Sequence, residues 1–183
     1  MKRPIFMMGL TIIGAIAIIV LAGIIKFNFI NDDVVTVPPV VNSDVKNATY
    51  MIDGHPVVLI AGRAEEAIPD SSSKITTTYF GNEVAGDFNN DGLSDVALLL
   101  TQNTGGSGTF YYVVAALKTA SGYQGTNAIL LGDRIAPQTS EFRDGVITVN
   151  FATRKLNESM STPPSVGVSK SFSISSAGTL IIK

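Results

Sequence analysis

Residues Ile5 to Ile25 read IFMMGLTIIGAIAIIVLAGII, a run of 21 residues without a charged side chain. A helix rises about 1.5 Å per residue, so this run spans about 30 Å, the thickness of a bilayer core. No other feature constrains the chain as strongly. A helix apolar on every side finds no polar face to turn to water, and its length suits a membrane better than a soluble core. The sequence therefore predicts one N-terminal transmembrane helix. Lys2 and Arg3 precede the run, and Lys26, Asp32 and Asp33 follow it. Positive charge on the short side favours a cytoplasmic N-terminus and an extracytoplasmic C-terminal domain.

The run is longer than the apolar core of a cleaved signal peptide, about 7–15 residues, and no small-residue cleavage site follows it. An uncleaved signal anchor is the expectation. Leu21-Ala22-Gly23 is similar to the start of a lipoprotein signal, but Ile24 stands where the lipid-bearing Cys would be. Gly9-Leu10-Thr11 loosely resembles a pilin processing site. Gly14 occupies the place of that family's helix Glu, and the chain then runs into Val34-Val35-Thr36-Val37-Pro38-Pro39-Val40, where proline forbids a continuing helix. Residues 27–47 are read as an extended stalk stiffened by Pro38-Pro39. The expected organisation is a cytoplasmic tip and signal anchor over 1–26, a stalk over 27–47 and a β-domain over 48–183.

Composition narrows the outer domain. The chain has 13 basic and 15 acidic residues, one histidine, no cysteine and 45% hydrophobic residues. Three of the basic residues flank the apolar run, so the remainder is acidic. An acidic surface argues against nucleic acid and against attraction to anionic lipid. Without Cys, disulfides, thiolate zinc sites and a cysteine nucleophile are excluded. His55 alone cannot make a multi-histidine site.

From about residue 48, β-branched and aromatic runs are cut by Gly, Asn and Asp. Asp53-Gly54 predicts a tight hairpin turn between Tyr50-Met51-Ile52 and Pro56-Val57-Val58-Leu59-Ile60. Lys74 to Val84, Val96 to Thr101, Thr109 to Lys118, Ala128 to Leu131, Glu141 to Phe151, Val166 to Ser175 and Thr179 to Lys183 complete the pattern. Val96 to Thr101 reads as buried on both faces, and Thr109 to Lys118 as the central strand. Asp144-Gly145 and Ala177-Gly178 supply further turns, and Pro163-Pro164 marks a loop or an edge-strand entry. Gly62 to Ala67 is the one helix-compatible stretch, too short to stand alone. The expectation is mainly β: about eight or nine strands in an antiparallel sandwich or partly closed barrel.

One constellation carries chemistry. Residues 86–95 read Gly-Asp-Phe-Asn-Asn-Asp-Gly-Leu-Ser-Asp. Side-chain oxygens fall at Asp87, Asn89, Asp91 and Asp95, with Gly92 after the third, which is calcium-loop spacing. Ca²⁺ takes six to eight oxygens at about 2.3–2.6 Å, and the Gly lets the Leu93 carbonyl turn inward. Asp95 would complete the shell directly or through water. The twelfth position is Leu98 rather than Glu, so a helical calcium hand is not expected. The loop resembles the calcium loop of FG-GAP and VCBS repeats, in which this spacing joins two strands and leads into an apolar strand, as Val96-Ala97-Leu98-Leu99-Leu100 does here. The resemblance covers one copy only and implies a structural Ca²⁺.

A wider series looks like an uncharacterised family of bacterial envelope proteins. It comprises Tyr79-Phe80-Gly81, Gly86 to Gly92, Gly105-Gly106-Ser107-Gly108-Thr109-Phe110 and Leu131-Gly132-Asp133-Arg134. That family's late Cys-Cys-Pro-Thr element is matched by Met160-Ser161-Thr162-Pro163-Pro164, without Cys. The resemblance implies an envelope location and no activity.

Other motifs read as ordinary structure. Thr104 to Gly108 lacks the Gly-Lys-Ser/Thr ending and the helix of a phosphate loop, so it is expected to be a hairpin connection. No Gly follows Ser107 at the nucleophile-elbow offset. No catalytic constellation emerges, and no enzyme is expected. The leading functional expectation is a membrane-anchored binding or structural module. It would contact an envelope protein or an extracellular polymer. The alternatives are an envelope enzyme or enzyme inhibitor, favoured if Glu65, Glu66, Glu83 and Asp133 share a cleft, and a subunit of a surface assembly. In the last, Gly9, Gly14, Ala15, Ala17, Ala22 and Gly23 would let membrane helices approach closely.

Overall fold

The structure is a computed structural model and describes residues 44–183. The apolar run 5–25 and the stalk as far as residue 43 lie outside the described residues. Among the described residues, no helix is long and apolar enough to cross a membrane. The domain is mainly β, and its sheets are antiparallel.

The first structure is a 3-10 turn, Val45–Asn47. The Asp44 side chain caps it by accepting from the Lys46 amide at 3.0 Å. The stalk was expected to reach residue 47. Instead, Val45 is buried, and the Lys46 carbonyl accepts from the Gly62 amide. Residues 44–47 therefore belong to the domain. β1 (Thr49–Ile52) and β2 (His55–Val58) follow as a two-stranded hairpin. Its turn is the expected Asp53-Gly54, both residues at positive φ.

The largest sheet contains β3 (Arg63–Ala67), β4 (Lys74–Gly86), β5 (Asp95–Asn103), β6 (Phe110–Thr119) and β7 (Gly122–Gly125) in that spatial order. β7 pairs with the C-terminal half of β6, and β8 (Ile129–Asp133) pairs with its N-terminal half. β6 is thus flanked on both sides along its length, as expected of the central strand. A second sheet runs β12-β11-β10-β9, from β9 (Ala136–Arg143), β10 (Val146–Thr153), β11 (Val166–Ile174) and β12 (Leu180–Ile182). Neither of these two sheets closes on itself among the described residues.

Strand alternation explains the layering. On β5 and β6, Ala97, Leu99, Val113 and Ala115 point one way, into a core with Ile147, Val149, Phe151, Phe172 and Leu180 of the second sheet. Leu98, Leu100, Tyr112, Val114 and Ala116 point the other way, into a core with Val45, Ala48, Tyr50, Ile52 and Leu59. The central sheet is the middle layer. The four-stranded sheet covers one face and the β1–β2 hairpin covers part of the other. Gly125 is required where β1 crosses β7, because a Cβ there would strike the Thr49 carbonyl and the Tyr50 ring.

Two expectations change. Among the described residues twelve strands form rather than eight or nine; β7, a four-residue piece containing two glycines, is not among the expected strands. Gly62 to Ala67 is not helical: Arg63–Ala67 pairs with β4 as an edge strand. Ala, Arg and Glu favour helix locally, but five residues cannot repay helix nucleation when a neighbouring edge offers a ladder.

Candidate metal centre

The 87–95 loop joins β4 to β5, so strands flank it on both sides as its spacing suggested. Its backbone is fixed by its own side chains. The two Asp87 carboxylate oxygens accept from the amides of Asp91 at 3.0 Å and Gly92 at 2.9 Å. The Asn89 side-chain oxygen also accepts from the Asp91 amide, at 3.1 Å. Asp91 accepts from the Leu93 amide at 2.8 Å and from the Asn89 side-chain nitrogen at 2.8 Å. Asn90 and Gly92 supply the positive φ angles of the turn. These are Asx-type bonds, in which short side chains hold the backbone they belong to. Asn89, Asp91 and Leu93 are exposed, and Asp87 is half-buried.

Asp95 differs from the others. It is fully buried. One carboxylate oxygen accepts from the Phe88 amide at 2.9 Å, and the other from the Lys118 amide at 2.8 Å. Burial pushes its carboxyl above the usual carboxylate range, the two backbone N–H groups oppose that, and the nearby Asp91 and Asp87 charges add to the rise. Asp95 therefore ties the start of the loop to β5 and to β6.

In kind, the donors suit a hard cation. Asp87, Asn89 and Asp91 bear oxygens with lone pairs beyond those already accepting hydrogen bonds. In arrangement, Asp95, like Asp87, carries one backbone amide on each oxygen, but it is fully buried and tied to β6. Among the described residues, no group of three or more Asp, Glu, His or Cys side chains is gathered as a metal cluster.

The remaining candidate carboxylates do not all share a cleft: Glu65 and Glu66, neighbours on β3, line one groove, and Glu83 and Asp133 do not line it. Glu65, on β3, is exposed and pairs with Lys74 at 2.9 Å and Arg63 at 2.7 Å. Its hydrogen bonds to Lys74 and then Arg63 pull its pKa down to about 2. Glu83, on β4, accepts from the Tyr79 hydroxyl at 2.8 Å. Burial, with that bond second, pushes the Tyr79 phenol up to about 12. Asp133, at the end of β8, accepts from the Thr109 amide at 2.8 Å and pairs with Arg134 at 3.0 Å. Burial alone would raise its pKa, but the Arg134 hydrogen bond and the Thr109 amide outweigh burial and hold it low. His55 is exposed on β2. The 104–108 segment is the β5–β6 hairpin connection, held by Asn103, whose side-chain nitrogen donates to the Gly106 and Gly108 carbonyls.

The feature the sequence reading missed is a groove beside β2. A cavity of about 370 Å³ lies between β2 and β3, over the β4 and β5 surface. It adjoins a second of about 310 Å³ towards the Asp53 turn. Gln102, Ile75, Val57 and Glu66 line both. The one available signal was Gln102, a polar residue in register with the buried Leu98 and Leu100. The chain matches no protein-family model, and no curated protein and no solved structure matches it either.

Proposed function

We propose that this chain is a membrane-anchored extracytoplasmic β-domain acting as a binding or structural module. The 5–25 run would be its single membrane span, and the acidic domain would face away from the cytoplasm. The observation that carries the module reading over an enzyme is the dispersal of the acidic groups. Glu65, Glu83 and Asp133 are each engaged by local partners on different strands, and of the four candidate carboxylates only the adjacent Glu65 and Glu66 line a common groove. Catalytic carboxylates must face one substrate.

In this reading the 87–95 loop takes one structural Ca²⁺. The Asp87, Asn89 and Asp91 side chains and the Leu93 carbonyl are the ligands, and Asp95 supports them from behind. A bound cation would neutralise acidic charge at the β4–β5 turn and stabilise the fold by linkage. The shape already held by the Asp87 and Asp91 hydrogen bonds supports this assignment, because little further ordering is needed.

The test is calcium titration of the full chain in detergent by calorimetry, with thermal melts in calcium and in chelator. The expected result is one saturable site per chain and a higher melting temperature. Asp87→Ala with Asp91→Ala should abolish both. Identical melts at millimolar calcium, with no heat of binding, would reduce the loop to a self-bonded turn. The membrane half of the reading is tested separately: a tag after Lys183 should resist labelling from the cytoplasm, and residues 1–26 should partition the chain into membranes.

A further inference from the structure

We infer that the groove between β2 and β3 binds an extended, basic segment of another protein as an added strand. The inference starts from the direction of backbone groups. The Leu59 amide donates to the Ala48 carbonyl, and Met51 bonds away from β2, to Thr126 and Ala128. Thr49↔Val58 and Met51↔Pro56 are therefore the non-hydrogen-bonded pairs of the β1–β2 ladder. It follows that the Val58 N–H and C=O and the Pro56 C=O face outward from β2. On the opposite wall, Ile60 and Arg63 exchange backbone bonds, while the Gly62 carbonyl accepts from the Tyr79 amide on β4. By alternation the Glu65 N–H and C=O face back towards β2. Two strand edges thus leave a tight turn at Ile60–Arg63, diverge, and hold open a cavity of about 370 Å³.

The floor of the groove asks for a donor. Gln102 is 8% exposed, and its side-chain nitrogen donates to the Thr77 hydroxyl at 3.2 Å. Its side-chain oxygen accepts from no described residue, and Gln102 is one of the residues that line the groove. A buried polar atom without a partner is costly and rare, and it marks a place where a partner arrives. Glu66 also lines the groove and, among the described residues, has no ion pair. Pro56 contributes a carbonyl but no N–H. The lining also holds donors, the Val58 and Glu65 amides and the Arg63 and Thr77 side chains, but Arg63 is already paired with Glu65. The charge left without a partner among the described residues is the Glu66 carboxylate, beside the Pro56, Val58 and Glu65 carbonyls and the Gln102 oxygen. A complementary ligand supplies N–H groups from an extended backbone and a cationic side chain to Glu66. Half-exposed Val58 and exposed Ile60 offer apolar contact at the rim. This is strand addition, with main-chain bonds giving affinity and alternate side chains giving specificity.

The inference rests on the binding-module reading and is tested apart from the calcium loop. The full chain in detergent is screened against acetylated, amidated hexapeptides that alternate Val and Thr, with Lys, Gln or Glu placed at each position in turn. The best lysine peptide is expected to protect the Val58 and Glu65 amides from hydrogen exchange and to shift the Gln102 side-chain amide resonances. It should bind about tenfold more tightly than its glutamate counterpart. Glu66→Gln should erase that preference with an unchanged melting temperature. The inference is overturned if no peptide protects Val58, or if lysine and glutamate peptides bind alike. It is also overturned if Val58 and Glu65 are protected in the chain alone, or in proportion to protein concentration. Those two results would assign the groove to this chain itself or to a second copy. A groove that fails while the loop still binds calcium removes this inference alone.

Discussion

β5 buries a polar side chain at each end, and the two ends stand in opposite conditions. Asp95 points to the face covered by the four-stranded sheet and has a backbone N–H on each carboxylate oxygen. Gln102 points to the face covered by the hairpin and has only one half of its amide satisfied. The difference follows from the width of the cover. Four strands fill one face of the central sheet with Phe151, Phe172, Ile147 and Val149. Two strands cannot span the other, so Ile75, Thr77 and Gln102 line an open groove instead. A satisfied buried polar group builds structure; a half-satisfied one beside an opening points to a missing partner.

The comparison can be broken by substitution. Phe172→Ala removes a fully buried ring from the filled face and should cost about 3–5 kcal/mol in chemical denaturation; a loss under about 1 kcal/mol would mean that this face is not a packed core. Asp95→Asn keeps the shape but turns an amide NH₂ towards the Phe88 or the Lys118 N–H, and should cost about 2–3 kcal/mol. An unchanged midpoint would show that the carboxylate does not hold the loop to β6. Gln102→Met should behave in the opposite way, neutral or stabilising by up to about 1 kcal/mol, because it removes an unpaired acceptor from the free domain. Strong destabilisation there would mean that Gln102 is already satisfied and that the two ends of β5 are alike.

The smallest effect concerns acid stability at the groove wall. Glu65 has its folded pKa lowered by Lys74 and Arg63 to about 2. The unfolded chain therefore binds this proton first as pH falls. The contribution of Glu65 is present above about pH 4.5 and is lost as pH falls towards 2. Glu65→Gln should flatten the pH dependence of stability in that window and leave neutral pH nearly unchanged, since the pair is exposed to solvent. A parallel pH profile for the two proteins would remove this ion pair from the account.

How much of this could be read in the sequence depended on how local the signal was. The Asp53-Gly54 and Asp144-Gly145 turns, the doubly buried β5 and the central β6 follow from patterns within a few residues, and all four are present. The acidic loop was legible as a turn between strands, but its division was not. Spacing placed Asp95 with Asp87 and Asp91 and could not show that the Lys118 amide of another strand also bonds it. β3 was not legible as a strand because its Arg-Ala-Glu-Glu-Ala favours helix until the β4 edge is present. The groove was invisible for the same reason: it is made by the free edges of β2 and β3 and by a glutamine that only strand pairing brings beneath them.

The Met51–Asn127 bridge bears on the order in which these parts come together. Every ladder of the two larger sheets except β6–β8 joins strands consecutive in the chain, so each requires only a short loop to close. β1 instead meets Thr126, Asn127 and Ala128 across the whole of the central sheet. Closing that long stretch is entropically slow and has nothing to rest on until β5, β6 and β7 are in place. The hairpin that walls the groove is accordingly expected to dock last during folding, an order that pulse-labelling hydrogen exchange at the Tyr50 and Val57 amides would check. On that order a chain still being folded would have no groove to offer, and a partner that requires one would meet only finished molecules.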